Sequence, residues 1–316
     1  MGRPNVNDNS PFTGWTDYLI PRTLEEALEL LQDHDGRARI IAGGTDLVLQ
    51  SQRGQCDNRV MVDITRIPGL AFLEERDGWI YVGPQVTHAH IADSPLVQQK
   101  AGVLARACGM VGGPQIRRVA TLAGNVVNAL PAADGAVALF ALDAEIEIMD
   151  QCGRRWESIT GFYSGVGICG ANPCHEIVVG IRFRSLPDTA GWSFQRLARR
   201  RTLILPMLCV AVIVQVQDAC FADASIAIGP IAPIPFRALS AESALQGAPI
   251  SDQTIAEAAH KVYDEANPRD SVLRGSGEYR KHMVDVLVRR GLQQAVEDAS
   301  GAVNTSSVKG VTHAAS

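Results

Sequence analysis

The stretch RIIAGGTDLVLQ, Arg39 to Gln50, places the strictest condition on the fold. The apolar, β-branched run at its start reads as a short buried strand. Gly43 and Gly44 stop that strand, and Thr45 and Asp46 follow directly. Glycine lacks a Cβ and adopts positive φ at little cost, so the pair marks a sharp turn or a close approach by another body. Successive backbone N–H groups in such a turn can converge on one point as an anion nest, for which a phosphate is a natural occupant. Taken alone, a plain tight turn is the commoner meaning of Gly-Gly.

A second loop of small residues, TLAGNVVNALPAADG, spans 121–135. Thr45 and Thr121 add hydroxyl groups to the two loops. A dinucleotide, with two phosphates and a long body, suits two such loops better than one. Asp134 stands where an N-cap belongs, ahead of the apolar run GAVALFALDA.

The rest of the chain reads as α+β. Thr23 and Glu26 form a candidate capping box, and Leu24, Ala27, Leu28 and Leu31 share one helical stripe. Strands are predicted at 37–43, 60–65, 78–83, 144–150 and 176–183, and helices around 86–93 and 98–111. MLCVAVIVQVQD and ADASIAIG are strong strands after residue 187, followed by three helical segments. The expected division is a lead-in at 1–15, a first domain at 16–187 holding both loops, a second at 188–298, and a disordered polar tail at 299–316.

Composition removes several classes of function. A net charge of −5 gives no general attraction to nucleic acid or anionic membranes. No apolar run reaches the roughly 18–20 residues of a membrane span. The N-terminus lacks the basic and apolar segments of a signal peptide, so the expected location is the cytoplasm. Seven cysteines, an odd number without a CxxC, argue against a disulfide framework or structural zinc. GVGICG at 165–170 fits a dinucleotide-binding spelling but lacks a following helix, so it reads as a loop. His88 and His90 lack an evident third ligand and read as a helix start. No nucleophile–base arrangement and no metal site is predicted.

The order AGGTDL, then GGPQIRRVATLAGNVVNALPAADGAVALFALDAEIEI, then RLARRR, resembles the FAD-binding (medium) subunit of the molybdenum hydroxylases, the carbon monoxide dehydrogenase and xanthine dehydrogenase family. The likeness runs from about Trp15 to YRKHMVDVLVRRGL and covers nearly the whole chain. It implies a two-lobed FAD-binding domain of the PCMH type, with a small N-terminal α/β lobe and a larger sheet lobe. A C-terminal α+β domain with an antiparallel sheet and helices follows.

The resemblance also implies roles. Arg39, Ile40, Ile41, Ala42, Gly43, Gly44, Thr45, Asp46 and Leu47 would wrap the FAD pyrophosphate. Val111 and Gly112 would lie near the cofactor. Thr121, Ala123, Gly124, Asn125 and Val127 would form the second phosphate and ribityl loop. Asp134 would bond the ribityl or flavin side, Val178 would pack on the ring system, Arg196 would fall near a lysine of the family, and Ile204 would shield the isoalloxazine. The chain departs from the family at Ala123, where a second glycine is usual, and at Ile204, where some members have tyrosine. Ala133 stands where relatives with an extra iron–sulfur cluster place a first cysteine.

The implied activity is electron transfer in a complex. A molybdenum-binding large subunit would oxidise substrate, and the 2Fe–2S clusters of a small subunit would relay electrons to FAD here. An external acceptor, NAD⁺, a quinone or oxygen, would take them, in a heterotrimer doubled to a heterohexamer. Two alternatives are a stand-alone flavin reductase resembling the enolpyruvylglucosamine reductases, and a non-enzymatic anion-binding scaffold.

Overall fold

The computed structural model describes residues 14–200, 204–272 and 274–311, with side chains up to residue 301. Most of the predicted lead-in therefore lies outside the described residues. Three hydrophobic clusters organise the chain, one under each of three main sheets.

The small N-terminal lobe is a parallel sheet of Asp17–Leu19, Val60–Asp63 and Ala38–Ile41, in that spatial order. Helix Leu24–Asp33 covers it with Leu24, Ala27, Leu28 and Leu31, the stripe expected from the helical period. Thr23 caps the helix by accepting from the Glu26 N–H at 3.1 Å. The Glu26 carboxylate reaches the N–H of Arg22 at 2.5 Å, one residue before the position a capping box requires.

The second lobe is an antiparallel sheet ordered Leu73–Arg76, Trp79–Val82, Ile177–Arg184, Glu145–Asp150, Gly153–Ser158. Strict alternation puts Ile80, Val82, Ile146, Ile148, Ile181 and Phe183 in the core. The opposite face carries Trp79, Trp156 and Arg182, whose guanidinium lies 4.7 and 4.1 Å from the two ring centres. The start of strand Ile177–Arg184 serves both lobes, since Ile177 and Val179 pack into the first core while Val178 and Ile181 face the second. The predicted helix at 98–111 is two helices, Pro95–Lys100 and Gly102–Gly109, broken at Ala101.

The C-terminal unit has the strand order Ala190–Leu197, Leu208–Gln217, Cys220–Gly229, Phe236–Arg237, all antiparallel. Its central strand is apolar from Leu208 to Val214 because both faces are covered there. Leu208, Val210, Val212 and Val214 meet the unit's own helices, while Cys209, Ala211 and Ile213 meet the second lobe. Helix Gly277–Val311 lies so close to the first strand that a Cβ on Gly191 would sit 1.8 Å from the Ala295 carbonyl oxygen. The helix passes Ala299, which is buried in the core. No helix among the described residues is long and apolar enough to cross a membrane.

Candidate functional site

A cavity of about 460 Å³ lies where the two N-terminal lobes and the C-terminal sheet meet. All twenty residues named from the sequence as cofactor contacts line it, although they come from six separated segments. Among the described residues, the C-terminal unit and the segment after its first strand contribute Arg196, Ile204 and Leu205.

The first wall is the turn after strand Ala38–Ile41. A Cβ on Gly43 would stand 2.2 Å from the Val119 carbonyl oxygen, so this glycine is required by the chain leading into the second loop. Gly44 has φ +66°, and its missing Cβ faces the side chains of Ile41 and Val48 at 3.0 and 3.2 Å, not the cavity. The glycines therefore set the path of the turn, and the turn presents its backbone. Among the described residues, the N–H groups of Gly43, Gly44, Thr45 and Asp46 donate to no protein acceptor. Four successive unspent donors beside a cavity form the kind of nest that holds an anion.

The second loop is built differently. Residues Leu122–Val127 form a helix, capped by Thr121, whose Oγ1 accepts from the Gly124 N–H at 3.0 Å. Ala123 sits inside this helix at ordinary negative φ, and Gly124 likewise, so the glycine-type backbone expected for Ala123 is not needed. The segment is held to the helix start at His88 by two backbone bonds, His88 N–H to Ala120 C=O and Leu122 N–H to Val86 C=O. Asn125 Oδ1 is buried and, among the described residues, has no hydrogen-bond partner. An orphaned acceptor of this kind at a cavity calls for a ligand hydroxyl or N–H.

Asp134 is not the N-cap that the sequence suggests. Ala133 holds that position, and Asp134 is the first helical residue. Its carboxylate turns instead to Arg196, with Nε to Oδ1 at 3.0 Å and both side chains about nine-tenths or more buried. Desolvation is the largest influence on Asp134 and raises its pKa to about 6, against the lowering effect of the Arg196 charge and hydrogen bond. Arg196 also donates from Nη2 to the Ile204 carbonyl at 2.5 Å, which ties the segment bearing Ile204 and Leu205 to the same carboxylate.

The cavity also takes in residues the sequence reading passed over, chiefly Gln50, Asn128, His88 and Leu205. Gln50 donates to Asn128 at 2.9 Å and so bridges the helices that follow the two loops. GVGICG, read as a loop, supplies the turn and second strand of a small hairpin, Tyr163–Gly165 with Ile168–Cys169, and no helix follows it.

The arrangement fits an elongated, anionic, partly aromatic ligand such as FAD. Unspent N–H donors suit a diphosphate, Ile41, Val178, Ile204 and Leu205 offer apolar surface, and Asn125 offers an acceptor without a partner.

Comparison with known proteins agrees with this geometry. Residues 11–184 match the FAD binding domain in molybdopterin dehydrogenase, and residues 192–295 match the CO dehydrogenase flavoprotein C-terminal domain. The xanthine dehydrogenase FAD-binding subunit of Escherichia coli O157:H7 is 31% identical over 291 residues, covering 91% of this chain and 98% of that one. The nicotinate dehydrogenase FAD-subunit of Eubacterium barkeri is 31% identical over 86% of this chain and 96% of its own. A solved structure, carbon monoxide dehydrogenase from Hydrogenophaga pseudoflava, superposes with a TM-score of 0.86 at 26% identity, covering 90% of this chain and 98% of that one. With both matched domains in their expected order around a cavity of the expected composition, the chain belongs to the family of FAD-binding subunits of molybdenum-containing dehydrogenases.

Proposed function

We propose that this subunit takes electrons from the 2Fe–2S clusters of a small partner subunit and passes them through FAD to an external acceptor, NAD⁺, a quinone or oxygen. The molybdenum cofactor belongs to a large partner subunit, the trimer is doubled to a heterohexamer, and the complex works in the cytoplasm. The observation that supports this reading best is the row of unspent N–H groups from Gly43 to Asp46 in the lining of a cavity that the buried Asp134–Arg196 pair also lines. FAD, when bound, supplies the electron chemistry, and the protein supplies binding, orientation and electrostatics.

In this reading the turn at Gly43–Asp46 holds the diphosphate, and Thr121 to Val127 with Asn125 hold the ribityl region. Val178, Ile204 and Leu205 exclude water from the ring. Arg196 and Asp134 keep the C-terminal sheet seated against the cofactor-binding lobes. The working division falls near residue 187, between the two matched domains.

The test is the absorption spectrum of the protein purified from its own host, with co-purifying chains resolved on a gel. Flavin bands with two additional subunits are expected. Flavin without partner chains would favour the stand-alone reductase. A protein that takes up no FAD even when it is added would overturn the assignment.

A further inference from the structure

The cofactor reading leaves one buried ring without a task. His88 opens helix His88–Asp93 after the N-cap Thr87, is 1% exposed, and lines the cavity. Its Nδ1 lies 3.3 Å from the Sγ of Cys108, itself fully buried on helix Gly102–Gly109. Its Cε1 would be 3.4 Å from a Cβ on Gly135, so that glycine leaves the ring its room. The side-chain hydrogen bond His88 makes among the described residues is at Nδ1, and none is made by Nε2.

Two neighbours decide where the ring proton sits. Burial first, and then the guanidinium of Arg117, hold the imidazole down to about 4, so it is neutral near pH 7. Arg117 is fixed there by donating to the carbonyls of Val111 and Gly112 at 3.0 and 3.3 Å. Burial, and then the Asp134 carboxylate, push the Cys108 thiol up, so it keeps its hydrogen. A neutral imidazole has one donor and one acceptor nitrogen, and the bond at one selects the role of the other. The thiol hydrogen is available to donate to Nδ1, and that direction of the bond puts the ring proton on Nε2.

We propose that His88 presents a neutral Nε2–H donor to an acceptor atom of bound FAD, and that Cys108 fixes its tautomer and orientation. The inference rests on the cavity being the FAD site. His88 is a hydrogen-bonding contact that gives up no proton in the reaction. Cys108 is a positioning residue that acts through it.

The test uses the full-length chain with nitrogen-15-labelled histidine, free of FAD and then loaded with it. His88 should hold the Nε2–H tautomer from about pH 5.5 to 8. Loading with FAD should slow exchange of the Nε2 proton with water, a readout that a purely structural role leaves unchanged. His88→Leu should raise the FAD Kd roughly tenfold, the scale of one lost hydrogen bond. His88→Gln, whose amide N–H reaches the Nε2 position, should restore it to within about threefold. Cys108→Ala should give a mixture of tautomers. Should His88→Leu fail to fold, the wild-type spectra and the Gln variant decide. An Nδ1–H tautomer, an Nε2 proton indifferent to FAD, or equal FAD Kd values for the Leu variant and the wild type would each overturn the inference and leave the FAD site standing. A wild-type chain that binds no FAD removes both.

Discussion

The cavity has two walls that solve the same problem by opposite means. The wall at Gly43–Asp46 carries backbone N–H groups and depends on side chains being absent. The wall at Asp134, with Arg196 across from it and His88 behind, depends on buried ionisable groups held close together. The backbone N–H groups of the first do not titrate, and the demands of its glycines are steric. The second draws its geometry from charges removed from water, so it is strong while complete and costly when broken. The contrast implies that the glycine wall should fail by collision, while the charged wall should fail by losing a partner or by a change of pH.

Arg196→Met breaks the charged wall most directly. It leaves Asp134 buried beside nothing that offsets its charge and removes the donor to the Ile204 carbonyl. A loss of about 4 kcal/mol in folding stability is expected, as for other buried pairs deprived of one member. FAD should be lost on gel filtration. The double variant Arg196→Met with Asp134→Leu should regain most of the stability, since no lone charge remains. If urea midpoints of the single and double variants coincide, the pair is not what holds this wall.

A pH series separates the walls next. Asp134 has a folded pKa raised to about 6 from its ordinary 3.8. Its contribution to stability is full below pH 3.8 and is lost as pH rises through 6. His88 is lowered to about 4 from 6.5, so its contribution is present above 6.5 and lost as pH falls through 4. Each displacement corresponds to roughly 3 kcal/mol, and the two oppose one another over nearly the same range. In the wild type they largely cancel. Asp134→Asn should therefore expose the His88 term, with stability relative to wild type falling by roughly 3 kcal/mol from pH 6.5 to 4. His88→Gln should show the reverse slope. Parallel stability curves for wild type and Asp134→Asn, measured by urea unfolding at four pH values, would break the account.

Much of this was legible in the sequence. The helix stripe Leu24–Leu31 and the alternation in Trp79–Val82 and Glu145–Asp150 follow from period alone, because one face of each meets a core. The family likeness collected the cavity's lining from six distant segments, which no local period can do. Three details were hidden because they depend on what lies across space. Asp134 has the residue type and place of an N-cap, yet a guanidinium 62 positions away takes its carboxylate. Ala123 stands where a glycine is usual, yet the backbone there is helical and makes no such demand. His88 looks like an ordinary helix start until Cys108 and the cavity are placed on either side of it.

The smallest effects concern the glycine wall, and they distinguish its two adjacent members. Both glycines read from the sequence as making way for a ligand. In the structure Gly43 makes way for the Val119 carbonyl oxygen, a backbone atom that cannot swing aside. Gly43→Ala should therefore push the two loops apart, costing about 2 kcal/mol and weakening FAD binding through lost alignment of the N–H row. Gly44 has positive φ but only the flexible ends of Ile41 and Val48 beside it. Gly44→Ala carries the strain of a left-handed backbone, about 1 kcal/mol, and its methyl points away from the cavity. FAD affinity should change less at 44 than at 43, although both are the same substitution one residue apart. Measuring stability by urea unfolding and FAD Kd by flavin fluorescence on the two variants gives the comparison directly. A larger loss of FAD affinity from Gly44→Ala than from Gly43→Ala would mean that the turn follows another path and that Gly44 is the residue making room for the ligand.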